Sequence, residues 1–561
     1  MISYRPIGGG GKIMPTSGVN LDALIKREDY TAIDKEANYS GNGDSPTRVL
    51  ISEFEAGRVW GRFLRKPIFQ RETANWDSVR VAELIESFAK GDLIPAIILW
   101  QADNGRVFVI DGAHRLSALL AWIKDDYGDG KTSLGFFQNH IPREQSKAAE
   151  KTRKQIKSLV GSYGGLQAAM EYPENSPELA SLAKKVFNRS ISLQWVPSGS
   201  DVEKSYIKIN KQAVHIDETE LDVIQYRRKP NALATRSLIR AGTGHKYWST
   251  FSAQIQSDIE KIARDIYDTL FEPPIETPLR TPEVPIAGRG YSGESLKTIF
   301  ELVNLLNNVT PDMWKSKVTT KTKKGQGTAT ERIQLSDDLD GTQTLRFLKA
   351  VKKVVTRIGS NDPDASLGLH PLVYFYGSTG KFLRVAFLAV AAFVKDLETR
   401  DAFYKFTKVR SKFEDFLLEN HDFVNQISHE IFGNENRVKS TVLMYKILFE
   451  GLLNKKPFDD IIVQMKSHTE LKFLKETTKE NREYSKDFST ETKSAAFLRE
   501  AIDTPLRCGI CNARLPYKAV SFDHKNRKQD GGLGAPENAQ LTHPYCNTGY
   551  KEKMNAKGIK V

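Results

Sequence analysis

VFVIDGAHRLSALLAW, residues 107–122, passes from a β-branched apolar run through a glycine into a helix-forming run. Val107–Ile110 predicts a buried strand, Asp111-Gly112 a turn, and Ala113 to about Ile123 an apolar helix. Upstream, Asp77 is placed to cap a helix running to about Lys90, Gly91 to stop it, and Ile94–Trp100 to form a second buried strand. Helix, strand, strand and helix within fifty residues define an α+β unit. The end of a strand feeding a helix N-terminus is also an anion site, since unpaired N–H groups and the helix dipole favour negative charge there. Gly112 lets the backbone approach a ligand, and His114 and Arg115 add donors.

Further out, Ser205–Asn210 and Glu218–Arg228 read as more helix of the same domain. The first 46 residues, rich in Gly, Ser, Asn and Asp, read as a flexible arm. Five prolines between Pro273 and Pro285, then Gly288, Gly290 and Gly293, exclude continuous helix or central strand and mark a connection. Beyond it, Ser295–Leu306, Leu345–Ile358, Phe382–Leu397, Lys412–Ile431 and Val442–Leu453 carry apolar residues at helical spacing, so the middle of the chain is expected to be all-α. Lys315–Lys324 reads as a solvated basic loop, and Leu471–Thr490 as a polar hinge. Gly377-Ser-Thr-Gly-Lys381 has two residues between its glycines where a phosphate loop has four, and is expected to be a turn. The expected division is 1–46 arm, 47–228 α+β domain, 229–490 helical region and 491–561 terminal module.

The chain has 561 residues, 40% of them apolar and 27% charged, which places it among soluble multidomain proteins. Its best apolar run, Phe382–Val394, is too short for a bilayer and carries Arg384. The N-terminus lacks the apolar core of a secretory signal, so a cytoplasmic protein without membrane contact is expected. Lys and Arg number 82 against 69 Asp and Glu, a net charge of +13 that favours a polyanionic partner. From Pro505 to Val561 there are ten Lys and Arg against four Asp and Glu, so this last tenth holds an excess of six.

All three cysteines lie there too. Cys508 and Cys511 in CGIC are spaced as a zinc knuckle, and His543 and Cys546 in HPYC repeat the spacing, together giving a Cys₃His tetrahedral set. Between the pairs, VSFDHKNRKQDGG leads to Asn538 and Leu541. Phosphodiester cleavage needs a base to activate water and a cation to neutralise charge on the phosphate and the departing 3′ oxygen. His524 suits the base. Asp523, its neighbour on a strand, points to the opposite side unless the strand ends there. Lys525, Arg527 and Lys528 are placed to hold flanking phosphates.

Over about 45 residues this pattern resembles the HNH endonuclease family and its ββα-metal fold. The resemblance implies that Asp523 and Asn547 hold one Mg²⁺ or Mn²⁺ ion and that Asn538 orients the loop bearing His524. It also places Lys551 among the phosphate contacts, one residue later than the usual CNxxK spacing. The N-terminal segment, with Phe69-Gln70-Arg71, Trp76, DGAHR and YIKINKQAVHIDETEL (206–221), resembles the ParB-like DGQxR domains of GmrSD-type restriction enzymes and phage-defence nucleases. That resemblance implies a ParB/sulfiredoxin-like scaffold whose nucleotide site is formed by Gln70, Arg71, Asp111, Gly112, His114 and Arg115, with NTP hydrolysis as a further activity. Ala113 stands where a sulfiredoxin carries its reactive cysteine, which excludes that thiol chemistry.

The expectation is a multidomain, mostly helical α+β protein: a metal-dependent DNA endonuclease of the restriction and antiviral type, gated by a domain that binds nucleotide or senses modified DNA. Its partners would be phage or modified DNA, an NTP and a second copy of itself, since one HNH site cuts one strand. A nucleotide-switched DNA-binding protein without nuclease activity is the alternative. RNA as the substrate stays open.

Overall fold

Strands β1 (Arg27–Glu28), β2 (Arg48–Leu50), β3 (Leu64–Pro67), β4 (Ile97–Gln101), β5 (Val107–Asp111) and β6 (Ser190–Trp195) form one mixed sheet in the order β1-β3-β5-β4-β6-β2. β5 is the strand expected from the apolar run. It pairs in parallel with β3 and antiparallel with β4, and has cover on both faces. Val107 and Val109 pack with Val81, Ile85, Leu116 and Leu120, whereas Phe108 and Ile110 pack with Phe69 and Tyr206. Burial on both faces is why the strand is an unbroken apolar run rather than an alternating one.

The computed structural model describes residues 18–29, 45–58, 60–70, 72–74, 76–102, 105–197, 206, 209, 217–290, 292–314, 335–362, 365–475, 489–503 and 505–559. Arg71, the basic loop 315–324, most of 205–216 and most of the hinge 471–490 lie outside them. The described residues fall into two units, one up to Gln225 with the stretch 243–245, the other made of nearly all the rest.

In the first unit, the helix Ser78–Lys90 begins where Asp77 accepts the Arg80 N–H at 2.9 Å and ends at left-handed Gly91. The helix Ala113–Lys124 follows the Gly112 turn. Helices at Arg143–Leu159, Tyr163–Glu171 and Pro177–Phe187 complete the cover. The flexible arm expected for 1–46 does not extend over 18–29. Val19, Leu21, Leu24 and Ile25 join the core, and β1 extends the sheet beside β3. Asp22 anchors this segment: it accepts from Arg27 at 2.8 Å, from Lys66 at 2.7 Å and from the Thr73 N–H at 3.2 Å. Burial opposes ionisation of Asp22, but the charges of Arg27 and Lys66 overcome it and hold the carboxyl well below its ordinary range. Burial pulls the Lys66 ammonium down to about 8.

The second unit is helical until its C-terminal end. Ala253–Phe271, Thr342–Gly359, Arg384–Thr399, Phe403–Glu419 and Asn434–Leu453 are its long helices. Their centre is aromatic, with Phe393 stacked on Phe413 at 5.8 Å and edge-on to Phe406 and Phe449. Each buried ring contributes about 1.5–3 kcal/mol. The single helix expected over 412–431 is two, Phe403–Glu419 and Phe423–Glu430, because the first ends at Asn420 and the chain turns before Phe423. Gly377–Lys381 is a turn, closed by a bridge between Tyr376 and Phe382. Among the described residues no helix is long and apolar enough to cross a membrane. The C-terminal residues form a hairpin, β7 (Ser521–His524) with β8 (Ala539–Thr542), followed by a wide helical turn and the short helix Lys551–Asn555.

Candidate functional site

The knuckle Cys508–Cys511 folds as a tight turn, with the Asn512 N–H on the Cys508 carbonyl at 2.9 Å, and the Gly509 N–H ties it to Leu541 of β8. HPYC follows β8 directly, so the hairpin delivers the second pair to the first. The ligand atoms of Cys508, Cys511, His543 and Cys546 all lie within 4.8 Å of one another. Nδ1 of His543 is 3.4 Å from the Cys511 sulfur and 3.8 Å from that of Cys546. A tetrahedral zinc with bonds of about 2.0–2.3 Å puts its ligand atoms about 3.5–3.8 Å apart, so the set fits. Nε2 of His543 faces the Arg514 carbonyl at 3.0 Å, which fixes Nδ1 as the ligating nitrogen. Contact among the three sulfurs holds the Cys508 thiol far below its ordinary range and pushes Cys511 and Cys546 above theirs; an ion bound there would take all three as thiolates. Burial and the Arg410 charge lower His543, keeping the imidazole neutral as a metal ligand must be.

His524 is the last residue of β7, partly exposed, next to the loop bearing Lys525, Arg527 and Lys528. Asn538 fastens that loop. Its Oδ1 accepts the Asn526 N–H at 2.7 Å, and its Nδ2 donates to the carbonyls of Asn526 and Leu533 at 3.0 and 2.8 Å. Asp523 points the other way, inward beneath the hairpin. Lys551 contacts both its oxygens, at 2.7 and 2.8 Å, and Gln540 donates to one of them at 2.9 Å. Asn547 donates to Ser521 Oγ and the Phe522 carbonyl, and no hydrogen bond joins it to Asp523. As arranged, Asp523 is neutralised and does not fit a divalent ion.

Lys551 is therefore not a surface phosphate contact. Its side chain is 8% exposed, and its third bond goes to the His524 carbonyl at 2.9 Å. The reason lies in the turn Cys546–Tyr550, which is a π-helix: the Lys551 N–H reaches back five residues to the Cys546 carbonyl. The wide turn takes up the extra residue between Asn547 and Lys551 and swings the lysine under the strand. Lys551→Ala would leave a buried carboxylate without its partner, and a loss of about 3–5 kcal/mol is expected. Denaturant unfolding would measure it, with the double variant Asp523→Asn, Lys551→Met recovering most of the loss; a single variant as stable as wild type would refute the strut.

In the first unit, Gly112 has φ +88, and a Cβ there would sit 2.7 Å from Ile97 Cδ1 and 2.9 Å from an Arg115 nitrogen, so only glycine serves this turn. Arg115 folds back to Asp111 at 2.8 Å and to the Ala96 carbonyl at 3.1 Å. His114 leaves the turn on another side and stacks on Trp76, ring centroids 5.6 Å apart. Gln70 is buried with Oε1 unpaired. The expected nucleotide residues are thus divided. Asp111 and Arg115 pair with each other, and Arg115 lines a cavity of ≈ 400 Å³ together with Arg48, Arg189 and Asp92, while His114 lies against Trp76. Sequence reasoning missed Arg48 and Arg189. Arg48 opens β2 and is exposed, and Arg189 directly precedes β6 and is partly buried; nothing in the local pattern of either marks it as lining a cavity.

Residues 50–304 match the family described as GmrSD restriction endonuclease, N-terminal domain. The match begins near β2 and runs past residue 228 to the helix Gly293–Leu306. No curated protein and no solved structure matches the chain.

Proposed function

We propose that this protein is a restriction-type DNA endonuclease that cuts phosphodiesters at its C-terminal hairpin and is gated by nucleotide at its N-terminal α+β unit. The observation that carries the reading is His524, a partly exposed imidazole at a strand end, its loop fastened by three Asn538 hydrogen bonds beside a Cys₃His centre. Restriction endonuclease is also what the family description of residues 50–304 names. In this reading His524 takes the proton from the attacking water, and Lys525, Arg527 and Lys528 hold phosphates on either side of the scissile bond. A Mg²⁺ or Mn²⁺ ion would neutralise charge on the departing oxygen, and Asp523 could take it only after Lys551 withdraws. The Asp523–Lys551 pair favours one second reading, a zinc module that grips DNA without cutting it.

At the N-terminal unit, Arg48, Arg115 and Arg189 give the cavity the charge to receive the phosphates of an NTP. A nucleotide gates cutting only through different affinities for the resting and active states. The test is the purified full chain with Mg²⁺ or Mn²⁺, with and without each NTP, on unmodified and modified phage DNA. Arg115→Ala removes a charged hydrogen-bond donor and is expected to weaken NTP binding about 10- to 100-fold. Absence of cutting on every DNA would leave the grip reading. Cutting indifferent to NTP and to Arg115→Ala would reduce the N-terminal unit to a docking scaffold.

A further inference from the structure

Arg410 and Glu414, one turn apart on the helix Phe403–Glu419, belong to no motif, yet their side chains are 1% and 0% exposed. They pair, Nε to Oε1, at 2.9 Å. The other oxygen of Glu414 accepts the Arg514 backbone N–H at 2.8 Å, and the carbonyl of that same Arg514 faces Nε2 of His543. The two terminal nitrogens of Arg410 donate to the carbonyls of Leu367 and Gly368 at 2.5 and 2.8 Å. Gly368, at φ +57, lies so close to His543 that a Cβ on it would sit 3.1 Å from the ring Cδ2. The path from His543 through Arg514, Glu414, Arg410 and Gly368 returns to His543. One residue before Cys546, the Tyr545 N–H is bound by the Ser366 carbonyl at 2.9 Å.

Charge leads to the same place. Arg410 and Arg514 bring two buried positive charges and Glu414 one negative, while Asp415, the other partner of Arg514, is 40% exposed and shared with solvent. One buried negative charge is wanting. A divalent ion held by three thiolates and a neutral imidazole carries a net charge of minus one, and the field of Arg410 reaches the sulfurs of Cys511 and Cys546.

We propose that the helical region supplies the outer shell of the zinc centre, with Arg410 and Glu414 as positioning residues that act on the metal through Arg514, Gly368 and His543. The terminal module then does not hold its metal alone; a helix about a hundred residues upstream sets how tightly the ion is kept. This rests on the Cys₃His set holding zinc.

The experiment measures zinc release from the full chain to a chromogenic chelator, and the visible absorption of the cobalt-substituted protein, which reports four-coordinate thiolate ligation. Arg410→Met and Glu414→Gln are expected to release zinc about 10- to 100-fold faster while still forming the four-coordinate cobalt band, with Arg410→Lys in between. Ile266→Ala, which opens a cavity in the helix Ala253–Phe271 of the same unit and contributes nothing to the shell, is expected to release zinc at the wild-type rate. Should Arg410→Met fail to fold, Arg410→Lys and Glu414→Gln decide the matter on the same readout. A wild type without zinc would refute the Cys₃His reading itself. A zinc-loaded wild type whose shell variants release no faster, or no faster than Ile266→Ala, would overturn the outer-shell proposal alone.

Discussion

His524→Ala is expected to slow DNA cleavage about 10²- to 10⁴-fold, the usual contribution of a general base. DNA affinity at fixed salt is expected to stay within about twofold, because affinity comes from phosphate contacts and the imidazole is not one of them. The structure makes this separation clean. The loop holding Lys525, Arg527 and Lys528 is fastened by Asn538, and the backbone of His524 by Lys551, so removing the ring leaves both in place. Single-turnover cleavage and fluorescence anisotropy on the same duplex would measure the two quantities. Cleavage at the wild-type rate would sink the proposed chemistry, whereas equal loss of binding and cleavage would favour the DNA-gripping alternative.

Loss of the zinc is expected to have the largest effect on stability. Structural zinc supplies on the order of 10 kcal/mol to modules of this kind, and the hairpin has little else: its cluster is Cys508, Leu515 and Cys546 with Ile510, Cys511 and Leu541 packed against it. Cys511→Ala, or a strong chelator, should therefore abolish protection of the β7–β8 amides from hydrogen exchange. Because Tyr545 is bonded to Ser366 and Arg514 to Glu414, protection should also fall around Gly368 and along Phe403–Glu419. Protein isolated without chelators but lacking zinc, or a Cys511→Ala variant with unchanged exchange, would show the assignment to be wrong.

What could be read from the sequence follows from how local its causes are. Asp77 and Gly91 bound a helix because capping is decided within a few residues. CGIC and HPYC announce a metal because a ligand pair is a short-range pattern, and the pleat alone puts His524 and Asp523 on opposite sides. Lys66 was invisible, because a lysine in a short strand reads as solvated until its partner, 44 positions earlier, is known. Arg410 and Glu414 have the spacing of an ordinary exposed helix pair, and only chain about forty residues before and a hundred residues after them buries them. Lys551 could be placed only once the wide turn before it was seen.

The Asp22 anchor bears on where this protein can be cut. Composition places the natural start of the first domain near residue 47, and a fragment begun there would look complete by every local sign. It would lack Asp22 and Arg27, leaving the ammonium of Lys66 inside the protein with its counter-charge gone, and it would strip β1 from β3. A bared strand edge is a template for pairing with other chains. Fragments trimmed at the compositional boundary would thus carry both a buried unpaired charge and an open edge, and association among such fragments would reflect where they were cut rather than how the intact protein behaves.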